Sequence, residues 1–147
     1  MSSGVSGSAG VPGLEALAAA FVDRTLPKAA WTHETHLKVG LWHVARWGEA
    51  EALAKLRKGI RALNEAHGVE NTTTGGYHET ITRFYVWRLA RFLEGEGAGL
   101  GLDEASVLLL ERHGGRDLPL RHWSRERLFS PEARAAWVEP DLAPLEA

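Results

Sequence analysis

Apolar residues recur at helical spacing along most of the chain. Leu14, Leu17, Ala18 and Phe21 mark one face of a first helix, predicted from Leu14 to Arg24, with Pro27 at its end or in the following turn. Thr32 offers a hydroxyl oxygen to cap a second helix, and Trp31 is an apolar lead-in to it. Leu37, Leu41 and Val44 form the stripe of this helix, which runs to Trp47 and stops at Gly48. Leu53, Leu56, Ile60 and Leu63 define a third helix from Glu49 to His67, terminated by Gly68. A fourth, from Tyr77 to Leu93, carries Ile81, Tyr85, Leu89 and Phe92 on one face. A fifth spans Glu104 to His113 behind a cap at Asp103, and Ser130 followed by Pro131 starts a short helix in an irregular C-terminal segment.

No run alternates with period two for long enough to be a strand; the β-prone stretch Phe84 to Trp87 lies inside a longer helical period. The pattern predicts an all-α, single-domain helical bundle of about five main helices with short connections. The helical domain covers 13–139, between a flexible Ser/Gly-rich N-terminal tail (1–12) and a Pro-rich C-terminal tail (140–147). Two segments interrupt the helices. Asn71 to Gly76 combines three consecutive threonines with two glycines, a loop whose backbone can approach a ligand closely. Gly95 to Gly101 is a surface connection.

Composition narrows the chemistry. The 147 residues contain no cysteine, which excludes disulfides, thiolate nucleophiles and cysteine-ligated metals. A net charge of −2 gives no general attraction to nucleic acid or anionic membrane, so neither is an expected partner. The locally basic run Arg112, Arg116, Arg121, Arg125, Arg127 is broken by Asp117 and Glu126 and reads as a solvated face or as a tail anchoring to the bundle. No apolar run is long enough to span a bilayer and no signal peptide is recognisable, so the expected location is cytoplasmic. A small-molecule ligand or substrate is the expected partner, with a homo-oligomer as a second possibility.

Histidine placement then suggests a site. On the second helix, His33 extends the apolar stripe towards the N-terminus, while His36, Gly40, His43 and Trp47 flank it. Gly40 costs about 1 kcal/mol of helix propensity against alanine, which either close packing or room for a ligand explains. His33 and His36 are three residues apart, so their rings can converge. His78 lies on the inward line of the fourth helix; it is either a third member of the site or a core histidine bonded to a carbonyl or to Thr82. If the second and fourth helices run parallel, all three meet at one end of the bundle. They would then hold a divalent transition metal (Zn, Fe, Ni or Mn) with a position left for water.

Glu79 is a candidate general base or fourth ligand, with a surface pair to Arg83 as the plainer role. Arg88, on a buried stripe, either pairs with a carboxylate or holds an anionic substrate. Asn64, His43 and Thr74 complete the candidate substrate contacts; Asn64 could instead satisfy the Asn71–Gly76 loop. His122 is a weaker candidate for the pocket rim, while His67 and His113 sit at helix C-termini, where they favour the helix dipole. The expectation is a metal-dependent enzyme acting on a small polar or anionic substrate by hydrolysis or proton transfer. The alternatives are a metal-free acid/base enzyme using one of these histidines, and a small-molecule-binding or interaction module.

Overall fold

The computed structural model describes residues 13–146, and the expected N-terminal tail lies outside them. The helices are α1 (Leu14–Asp23), α2 (His33–Ala66), α3 (Glu79–Glu94), α4 (Leu102–His113), α5 (Arg125–Leu128) and α6 (Pro131–Ala135). Short 3₁₀ turns cover Lys28–Ala30 and Leu118–Arg121, and no strand occurs among the described residues. The protein is all-α.

Within α2, Gly48 adopts φ 82°, ψ 171°, a backbone conformation that L side chains rarely enter. This breaks α2 into two arms, close to the second and third helices read from the sequence. The arms fold back on one another. Phe21 of α1 packs edge-on against His43 at 5.4 Å between ring centroids, and its ring also lies 2.7 Å from where a Cβ on Gly59 would sit. A straight helix would separate positions 43 and 59 by about 24 Å. One phenyl ring reaches both because the chain reverses at Gly48.

The main core is built by α1, both arms of α2, α3 and α4, with Phe21, Leu41, Leu63, Leu89, Phe92 and Leu109 buried in it. A second cluster lies on another face of α3, where Phe84 meets Leu118, Trp123 and Leu128. Trp123 is fully buried, and its indole N–H donates to the Val138 carbonyl at 3.0 Å. The C-terminal segment is thereby fastened to the bundle. Leu142 and Ala143 N–H groups bond the His122 carbonyl, and Asp141 accepts from both the Ser124 backbone and its hydroxyl.

Thr32 and Ser130 cap α2 and α6 as expected, accepting from Thr35 N and Ala133 N. Asp103 does not cap α4, whose N-cap position is Gly101. Its carboxylate instead accepts from Leu14 N at 3.0 Å, at the start of α1. Gly13 has no side chain to cap α1, so a residue 89 positions away satisfies that exposed donor.

Gly59→Ala tests the close approach of α1. An exposed helical glycine usually gains up to about 1 kcal/mol on substitution by alanine. Here the added methyl would meet the buried Phe21 ring, whose packing against Trp31 and His43 leaves it little freedom to move. The expected outcome is a loss of about 1–3 kcal/mol in chemical denaturation, opposite in sign to propensity.

Candidate functional site

A cavity of about 400 Å³ lies between the two arms of α2 and α3. The first arm contributes His33, His36, Leu37 and Gly40, and the second contributes Leu56 and Ile60. Ile81, Thr82, Tyr85, Val86 and Leu89 of α3 complete the walls. Trp31 and Thr32 precede α2 at the same end as His33 and His36, and Arg116 reaches the cavity from the segment after α4. Gly40 lines the cavity, and a Cβ there would sit 2.8 Å from Leu89 Cδ1, the close packing foreseen for it.

The polar end of the cavity has a defined hydrogen arrangement. His33 Nε2 is 3.1 Å from the Gly114 carbonyl, and His36 Nδ1 is 2.8 Å from the Thr32 carbonyl. A carbonyl only accepts, so each of these nitrogens carries the proton. The other nitrogen of each ring, Nδ1 of His33 and Nε2 of His36, bonds no protein group among the described residues. His36 stacks on Trp31 with ring centroids 3.6 Å apart, and His33 meets the Tyr85 ring edge-on at 5.9 Å. Partial burial lowers the His33 pKa and the Arg116 charge lowers it further, outweighing its carbonyl bond; desolvation shifts His36 in the same direction, less firmly because its ring is exposed. Both shifts favour the neutral ring at pH 7. Burial, with Asp117 nearby, raises the Tyr85 phenol to about 12, so it too is uncharged.

His78 does not join this pair. It is the N-cap of α3: Nδ1 accepts from Ile81 N at 3.1 Å, and Nε2 donates to the Leu128 carbonyl at 2.7 Å. With both nitrogens occupied, no lone pair remains for a metal. The predicted convergence of His33, His36 and His78 does not occur, and no group of three or more histidine or carboxylate side chains among the described residues could hold a metal ion. The inward direction of His78 was legible, but its ring serves the start of α3 and the α5 backbone instead of the cavity.

Glu79 has a different partner from the Arg83 pair considered for it. Arg57, on the second arm of α2, grips its carboxylate with two parallel bonds, Nε to Oε1 at 2.9 Å and Nη2 to Oε2. Tyr77 adds its hydroxyl to Oε1 at 2.6 Å. Burial raises the Glu79 pKa, but the bonds from Arg57 and Tyr77 outweigh this and hold it below the usual range. An ionised carboxylate with its oxygens engaged in this way is a structural anchor, not a free base.

The remaining candidates lie away from the cavity lining. Asn64 donates to Asn71 Oδ1 at 3.0 Å, and the same oxygen accepts from Tyr77 N, so Asn64 secures the 71–76 loop, the second of its two foreseen roles. Thr74 is exposed on that loop, its backbone N–H donating to Thr72 Oγ1. His43 is buried among Phe21, Trp42 and Trp47, with Nδ1 donating to Val39 O. Arg88 has no ion-pair partner among the described residues; its guanidinium lies 4.9 Å from the Trp87 ring centroid, and Nε is buried without a hydrogen bond. His122 is tied to the Ala143 carbonyl.

Sequence reasoning passed over Thr82, Tyr85 and Arg116 as cavity residues. Tyr85 was read as apolar stripe and Arg116 as part of a solvated basic face. Only the packing of separate segments brings them together. No described helix is long and apolar enough to cross a membrane. Comparison of the chain with protein-family models, curated proteins and solved structures finds no match.

Glu79→Gln leaves Arg57 facing a neutral amide. The expected loss at pH 7 is about 1–3 kcal/mol, moderated by the partial exposure of Arg57. Because the folded-state pKa of Glu79 is lowered, its contribution is fully present above about 4.5, the ordinary glutamate value, and disappears as pH falls through the folded value. The stability gap between wild type and variant, measured by urea denaturation, therefore narrows under acid. A gap independent of pH would show that the carboxylate charge is not what anchors α2 to α3.

Proposed function

We propose that the protein binds a small molecule in the cavity between α2 and α3. The apolar body of the ligand lies against Leu56, Ile60 and Leu89, and its polar end meets His33 and His36. The observation that carries this reading is the pairing of two imidazoles, each held by one backbone carbonyl, with an otherwise largely apolar cavity of about 400 Å³. Ligand pockets have this character: mostly apolar walls, a few placed polar groups and volumes of roughly 300–1,000 Å³.

Proton transfer is the second reading, favoured by the orientation of His36. Its Nδ1–H is fixed on Thr32 O while Nε2 is free, the arrangement of an oriented general base. A base works best with a pKa near the ambient pH, and desolvation moves His36 away from that optimum. Binding therefore leads. Neither reading draws on a metal, for which the cavity supplies two imidazole donors rather than the three expected from the sequence.

A fragment library screened by amide NMR tests the proposal. Hits should shift the amides of Leu37, Gly40, Ile60 and Thr82 together. The same hits should lose these shifts in a folded Ile60→Trp variant, where the larger ring fills the cavity. Hits that cluster elsewhere, or that survive the Ile60→Trp change, would contradict it.

A further inference from the structure

The hydrogen inventory of the cavity restricts the chemistry of its ligand. His33 uses its one N–H on Gly114 O and His36 uses its one N–H on Thr32 O. Thr82, on the α3 wall, spends its hydroxyl hydrogen on the His78 carbonyl at 2.8 Å. Each of these side chains lines the cavity, and each has an acceptor left over: His33 Nδ1, His36 Nε2 and the Thr82 oxygen. Tyr85 directs its hydroxyl to Gly115 O at 3.4 Å, a long bond that also leaves its oxygen able to accept. Donors line the cavity as well: the Trp31 indole N–H, the Arg116 guanidinium and the Thr32 hydroxyl, which shares one hydrogen bond with Thr35 Oγ1 at 3.1 Å. The Trp31 ring is stacked on Phe21 and tilted against His36, and Arg116 is exposed beside Asp117.

From this we infer that the cavity selects a neutral hydrogen-bond donor with an apolar body, an alcohol, a phenol or an N–H heterocycle, over its alkylated analogue. This rests on the binding proposal above and names the ligand class for the same site. A neutral donor supplies the hydrogen that His33 and His36 lack, at no cost in charge. An ammonium ligand would supply hydrogens but would meet Arg116 at close range.

Matched probe pairs decide the matter: phenol against anisole, and indole against 1-methylindole, with benzoate as the anion. Affinities are read at pH 7.5 from the shifts of the cavity amides. Phenol and indole should bind about fivefold or more tightly than their methylated partners, the worth of one hydrogen bond. In His36→Phe, which keeps an aromatic ring but removes the acceptor, the preference for the unmethylated probe should shrink towards unity; if that variant does not fold, His33→Phe serves the same purpose. Equal binding of parent and methylated probes in the cavity would overturn the donor rule while leaving the binding proposal standing. So would tightest binding by benzoate, which would instead make the site an anion site. Failure of every probe to shift any cavity amide would overturn both.

Discussion

The reversal of α2 at Gly48 is the constraint from which the rest of the arrangement follows. A residue with a side chain would be strained at φ 82°, and without that turn the arms could not share one cavity. Once the chain reverses, Phe21 packs against both arms, and Leu56 and Ile60 face His36 and Gly40 across the cavity. Arg57 then ties the second arm to the first residue of α3 through Glu79. The cavity is a consequence of how three segments meet, held by one apolar wedge and one ion pair.

Two sets of polar groups sit close together and behave oppositely. Around the start of α3 the groups satisfy one another: Arg57 and Tyr77 saturate Glu79, His78 caps Ile81, and Arg134 donates to the Gly76 carbonyl. Such a network specifies how α2, α3 and the C-terminal helices dock and leaves little free valence. At the start of α2 the pattern is incomplete. His33 and His36 each make one hydrogen bond and keep one nitrogen unpaired. A cavity whose polar groups remain half-used is a more informative functional sign than a larger cluster whose bonds are closed.

Helical periodicity made the fold legible, because an apolar face must be buried wherever the helix packs. Gly48, Thr32 and Ser130 marked their boundaries through backbone chemistry that is local to the sequence. The site was legible only in part. The spacing of His33 and His36 placed them together because both lie on one helix. His78 was misjudged because the inward direction of a side chain does not say what it meets there: a free N–H at the helix start and a carbonyl 50 residues away took both nitrogens. Glu79 reads from the sequence as lying off the apolar stripe of its helix, and its pairing with Arg57 depended on the relative placing of two helices. Asp103 shows the same limit, since the helix it caps is not its own.

The central claim is that His33 and His36 enter the cavity as neutral rings in fixed, opposite tautomers. Long-range ¹H–¹⁵N correlation of the imidazole nitrogens tests it most directly. At pH 7 the spectrum should show His36 protonated on Nδ1 alone and His33 on Nε2 alone, each with the other nitrogen bare. An imidazolium pattern at either ring, or a mixture of tautomers averaging the two nitrogens, would contradict the account.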